Sequence, residues 1–153
     1  MQEVEQYIAR LPELSDVPRD RLSVERLGGL TNLVYRVGTP ESHYVLRVAG
    51  PGTEEFIDRR VEEHNSRAAA AAGVSPEVLF FDSSDGLMLM QHADGTTMSP
   101  ESFRSTPGAP ARAARAFRQL HRSGQRFEFR FELFSMIDEY LGVLDRLGAT
   151  LPE

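Results

Sequence analysis

Residues 22–49 read LSVERLGGLTNLVYRVGTPESHYVLRVA, and their rhythm decides the fold. Apolar and polar residues alternate in three runs, which predicts strands over 22–27, 33–37 and 44–48. Gly28-Gly29 and the Gly38–Ser42 stretch supply the turns between them, and connections this short join antiparallel neighbours. In the third run Tyr44, Leu46 and Val48 fall on one face, and Val45 and Arg47 on the other.

Working outward toward the N-terminus, Val4, Ile8 and Leu11 recur at helical spacing and Pro12 ends that run. The stretch Ser15–Asp20 is rich in turn residues. Toward the C-terminus the spacing predicts one long helix over 53–72. Thr53 is its N-cap, Glu54, Glu55 and Asp58 occupy the favourable positive end, and Gly73 is its stop. Two further strands, 77–81 and 87–90, flank the turn Ser83–Gly86. The order β-β-β-α-β-β, followed by helices at about 99, 109–122 and 136–147, defines an α+β fold: a five-stranded antiparallel sheet with one long helix, then a helical region. Ser99-Pro100 is a helix start with proline at the first helical position. Phe127, Phe129, Phe131 and Phe134 alternate with charges before the last helix.

Composition excludes several classes of chemistry. The chain has 153 residues, enough for a sizeable core, with no cysteine and therefore no thiol nucleophile, disulfide or cysteine metal site. That usage fits a reducing cytoplasm. The net charge of −6 argues against a broad grip on nucleic acid, and no apolar run is long enough for a membrane helix. All 17 basic residues are arginine, so a Walker A lysine, a Schiff base and a lysine general base are excluded. Any phosphate held by a side-chain cation is held by arginine.

Three features carry candidate chemistry. Leu27-Gly28-Gly29-Leu30-Thr31-Asn32 reads either as a plain hairpin turn or as a loop whose backbone closes on a bulky ligand. Arg47, in an apolar strand, is either a solvated strand arginine or an anion anchor in need of a carboxylate. Arg59, Glu62 and Glu63 near the middle of the long helix are either a solvated face or the source of that carboxylate. Asp82, Asp85 and Asp94 have turn spacing rather than metal-loop spacing. Arg112, Arg115, Arg118 and Arg122 form a basic stripe that reads as a solvated face.

These features stand in a familiar order. Leu27–Asn32 with Tyr35, Tyr44–Val48 with Gly50 and Thr53, and Ile57–Glu62 with Asn65 resemble the choline/ethanolamine kinase and aminoglycoside phosphotransferase family, and bacterial choline kinases in particular. That family has the protein-kinase-like fold. The resemblance runs over about residues 20–145, with fainter support from Gly73, Pro76, Asp94-Gly95 and Leu120-His121. It implies an ATP site: Gly28, Gly29, Leu30, Thr31 and Asn32 over the phosphates, Arg47 on the α/β-phosphates where many kinases use lysine, Glu62 pairing with Arg47, and Met90 to Ala93, including Gln91 and Ala93, as the hinge that reads adenine. It also implies a nucleotide-binding lobe at 1–93, a linker at 94–98 and a partial helical C-lobe at 99–153.

In this family a His-Gly-Asp segment and a later magnesium-binding aspartate perform the transfer. Neither motif is present; His43, His64, His92 and His121 all lack a following Gly-Asp. The expectation is therefore a chain cut before the catalytic loop, with no catalytic or metal residue of its own and no turnover alone. Mg²⁺ and an alcohol such as choline belong to the full-length enzyme. The alternatives are an aminoglycoside or other small-alcohol kinase, and a non-catalytic nucleotide-binding or interaction fragment.

Overall fold

In the computed structural model, residues 2–29, 31–130 and 132–149 are described. The alternation in residues 22–49 becomes three strands, β1 (Ser23–Gly28), β2 (Leu33–Gly38) and β3 (His43–Val48), each antiparallel to the next. β4 (Val78–Asp82) and β5 (Leu87–Gln91) complete the sheet in the order β1-β2-β3-β5-β4, so β5 lies between β3 and β4. The expected five-stranded antiparallel sheet is present, with strand ends shifted by a residue. One shift matters: Gly28 belongs to β1 rather than to the turn. A register irregularity between Arg26 and Gly28 sets it opposite Val34.

The two faces of the sheet bury different partners. Tyr35, Val37, Leu46, Val48, Leu87 and Leu89 form one core with Val4, Ile8, Leu11, Leu14 and Leu22. Those last residues come from helix α1 (Gln2–Ile8), a 3₁₀ turn at Pro12–Leu14 with Leu11 just before it, and the lead into β1. The helix expected over 2–11 therefore closes at Ile8, and the rest of the apolar run is carried by the 3₁₀ turn that starts at Pro12. Val78, Phe81 and Met88, with Met90, form a second cluster on the opposite face.

Helix α2 (Arg59–Ala71) contacts β4. It starts six residues later than the sequence predicts. Thr53–Glu55 is only a 3₁₀ turn, and Asp58 is the cap, its carboxylate accepting from the backbone N–H groups of Arg60 at 2.9 Å and Val61 at 3.3 Å. Thr53 cannot cap because its hydroxyl is engaged elsewhere: it donates to the Gly50 carbonyl at 2.7 Å and accepts from Arg59. Gly73 follows the end of α2, as expected.

The helical region comprises α3 (Pro100–Ser105), α4 (Ala109–Arg122) and α5 (Leu133–Arg146). Ser99 caps α3, accepting from the Ser102 N–H at 3.1 Å. α5 starts one turn earlier than expected, taking in Leu133 and Phe134 from the phenylalanine-rich segment. Polar contacts tie the region to α2: the Gln119 amide donates to the Ala72 carbonyl at 2.9 Å, and the Asn65 side chain accepts from the Glu128 N–H at 2.9 Å. Among the described residues, no helix is long and apolar enough to cross a membrane.

Candidate functional site

Arg47 is placed by register. Gly28 pairs with Val34, Val34 with Arg47, and Arg47 with Met88, so these four residues form one row across the sheet. The pleat puts that row on the face of the Phe81–Met88 cluster, opposite the side of Leu46 and Val48. From α2, Glu62 reaches this row. Its Oε1 accepts from Arg47 Nη2 at 2.6 Å, with the two side chains only 19% and 16% exposed.

Glu62 has a second cation. Its Oε2 accepts from Arg59 Nη1 at 2.7 Å, and Arg59 is buried at 8% exposure. One carboxylate thus serves two guanidinium groups. Among the described residues neither arginine is paired with any other acid, so the triad carries a net charge of +1. Arg47 Nε is also buried without an acceptor. A partly buried net positive charge with a spare donor attracts an anion, since desolvation penalises it until one arrives.

The loop between β1 and β2 folds close to this site. A Cβ on Gly50 would lie 1.7 Å from the Thr31 carbonyl oxygen, so only glycine lets the loop rest there. The Asn32 side chain accepts from the Gly50 N–H at 3.4 Å. At Gly28, whose φ is +100°, the space a Cβ would take is open, with no atom within 4 Å. Leu30 lies outside the described residues.

Gln91 and Ala93 stand apart from the pair. Gln91 is opposite Tyr44, three residues along from the Arg47–Met88 pairing, or roughly 10 Å. Its side chain donates to Glu77 at 2.9 Å and its N–H to the Glu77 carbonyl at 3.0 Å. Ala93 is exposed beyond the end of β5. The structure therefore brings Arg47 and Glu62 together, seats Thr31 and Asn32 beside Gly50, and leaves the segment 91–93 at the far end of the strand. A cavity of about 560 Å³ lies between α2 and Phe129 and touches the triad through Glu62 alone.

Two groups went beyond the sequence reading. Arg59 stood out only as a neighbour of Glu62, and its i,i+3 spacing is the signal that it shares the carboxylate. Arg10 had no local signal. Its guanidinium bridges Asp82 and Asp85, each at 2.6 Å, fastening the residues after α1 to the β4–β5 turn. Asp82 is pushed down to about 2, first by the Ser84 hydroxyl and N–H and then by Arg10. Asp85 is lowered mainly by Arg10, and Arg10 is raised mainly by Asp85.

A five-stranded antiparallel sheet, one long helix packed on it, and helices after the last strand make up the protein-kinase-like N-lobe and the start of the C-lobe, as seen in choline kinase structures. Residues 23–147 match the phosphotransferase enzyme family APH, and the chain belongs to that family. A choline kinase of Schizosaccharomyces pombe is 33% identical over 107 residues, covering 67% of this chain and 23% of that protein. The crystal structure of a choline/ethanolamine kinase family protein from Mesorhizobium loti is 48% identical, with a TM-score of 0.78 over 99% of this chain and 47% of that one. The choline kinase LicA of Streptococcus pneumoniae shares the fold at 24% identity, with a TM-score of 0.74 over 94% of this chain and 48% of its own. LicA has also been crystallised in complex with AMP. The chain thus spans about a quarter of the curated relative and about half of the structural ones.

Proposed function

We propose that this chain is the ATP-gripping part of a phosphotransferase that moves the γ-phosphate of ATP to the hydroxyl of choline or ethanolamine. The observation that carries the reading is the Arg47–Glu62–Arg59 triad, a partly buried net cation in register with Gly28. Membership of the phosphotransferase family and the AMP complex of LicA support it. On this reading residues 1–93 are the nucleotide lobe, 94–98 the linker and 99–153 the first part of the helical lobe.

The residues divide the work. Arg47 presents a planar fork of guanidinium donors to the α/β-phosphates. Glu62 fixes Arg47 before the nucleotide arrives, so little ordering is left to do on binding. Gly28, Gly29, Thr31 and Asn32, with Leu30, close over the phosphates, where the open space at Gly28 admits a bulky group. Ala93 offers main-chain groups to the adenine and Gln91 only its carbonyl, since the Gln91 side chain and N–H are both taken by Glu77. ATP supplies the transferable phosphoryl group, with Mg²⁺ recruited in the full-length enzyme.

Calorimetric titration with ATP tests the reading on the wild-type chain and Arg47→Ala. Losing a charge-assisted contact should weaken binding by about 1.5–3 kcal/mol, which is roughly tenfold to 150-fold. A wild-type chain that binds no ATP, or a variant that binds equally well, removes the assignment.

A further inference from the structure

We infer that Arg59 is a positioning residue for Arg47: it grips the free oxygen of Glu62 and so fixes the guanidinium that meets phosphate. The consequence for affinity rests on the nucleotide reading above; the mechanism rests on geometry alone.

A glutamate held by one cation keeps a rotatable carboxylate with one oxygen left to water. Here Oε1 meets Arg47 and Oε2 meets Arg59, so the carboxylate plane is set from both sides. Arg59 is itself confined. Its second terminal nitrogen donates to the Thr53 hydroxyl, which in turn donates to the Gly50 carbonyl beneath the β1–β2 loop. Its stem lies on Gly86 in the β4–β5 turn, where a Cβ would come within 2.8 Å of Arg59 Nε and 2.9 Å of its Cδ. That turn is closed by the Gly86 N–H donating to the Asp82 carbonyl at 2.8 Å, and it is pinned by Arg10. Arg59 therefore links three elements, the segment before α2, α2 itself and the β4–β5 turn, to one carboxylate.

Helix stability does not account for this residue. Arg59 is the first residue of α2, where the helix dipole disfavours a cation, and it is buried, which costs further. The pair also runs cation before anion along the helix, the poorer order. What Arg59 gains is one interaction directed at Glu62, the residue that holds Arg47.

The full chain is titrated with ATP as wild type, Arg59→Met, Arg59→Lys, Glu62→Gln and the Arg59→Met/Glu62→Gln double variant. Thr53→Val serves as a milder change that keeps the arginine. In parallel, exchange of the Arg47 Nε–H proton is followed by NMR without nucleotide, assigned by its loss in Arg47→Lys. Arg59→Met should weaken ATP binding roughly tenfold and add less than about twofold once Glu62 is already glutamine. Arg59→Lys should recover part of the loss, and Thr53→Val should cost about twofold to threefold. Arg47 Nε–H exchange should accelerate in Arg59→Met and, less, in Thr53→Val. Additive losses in the double variant, or unchanged exchange at Arg47 in both Arg59→Met and Thr53→Val, overturn the inference. If the wild-type chain binds no ATP, the nucleotide reading falls while the exchange measurement still decides whether Arg59 positions Arg47.

Discussion

Residues 2–92 and residues 99–149 bury their apolar side chains to very different extents. Among the described residues, every buried hydrophobic residue except Ala109 belongs to the first region, where α1 and the sheet close a core around Leu46 and Leu89. The second region exposes Phe103, Phe117, Phe127, Phe129, Phe134 and Leu147, and its contacts with α2 include single hydrogen bonds, Gln119 to the Ala72 carbonyl and the Glu128 N–H to Asn65. Both regions carry large apolar side chains. The difference teaches that an apolar stripe specifies a face, while only a facing element turns that face into stability.

Core truncation should expose the contrast most strongly. Leu89 is fully buried in β5, between β3 and β4, and Phe134 is 80% exposed on α5. Leu89→Ala should cost about 2–5 kcal/mol through lost burial and a residual cavity, whereas Phe134→Ala should stay within about 0.5 kcal/mol. Urea unfolding of both variants checks it. Equal losses would mean that α5 is packed as firmly as the sheet.

The same contrast governs what could be read from the sequence. Strands β1 to β3 were legible because period-two alternation and glycine turns act within a few residues; a strand cation followed by helix acids pointed to an ion pair, and the family resemblance singled out Glu62 as its acid. The start of α2 was not legible. Thr53 and Asp58 are both good caps five residues apart, and the choice depends on Arg59 and Gly50 occupying the Thr53 hydroxyl. The start of α5 was misplaced because alternating phenylalanines carry no cap signal. The bridge from Arg10 to Asp82 and Asp85 joins residues more than 70 positions apart and leaves no local trace. The Arg59 contacts combine both cases: the i,i+3 partner was visible, but Gly86 was not.

Helix caps sharpen the comparison at the next level. Asp58 caps α2 in the packed region and Ser99 caps α3 in the open one. Asp58→Ala should lower global stability by about 1 kcal/mol, because fraying α2 loosens its contact with the sheet. Ser99→Ala should shift local amide exchange in α3 while leaving the main unfolding transition within about 0.5 kcal/mol. A matching global loss from Ser99→Ala would place α3 in the same cooperative unit as the sheet.

The smallest effect is electrostatic and depends on pH. In the packed region Arg10 holds Asp82 and Asp85, and in the open region Arg130 pairs with Glu132 with both side chains largely exposed. Asp82 titrates at about 2 in the folded chain against 3.8 ordinarily, and Asp85 is lowered too. A folded-state value below the unfolded one means the unfolded chain takes up protons first as pH falls. The stabilisation is therefore complete above the ordinary carboxylate value and disappears as pH drops through 3.8 toward 2. Arg10→Leu should remove most of the Asp85 contribution but only part of that of Asp82, since Ser84 is the leading cause there. The pairs are partly exposed, so the loss at pH 6 should be only about 0.2–1 kcal/mol, shrinking as pH falls through the folded Asp82 value of about 2 and reduced by added salt. Arg130→Leu should change stability at neither pH. A difference between Arg10→Leu and wild type that grew on acidification would reverse the sign of this linkage and show that Arg10 stabilises the fold through packing rather than charge.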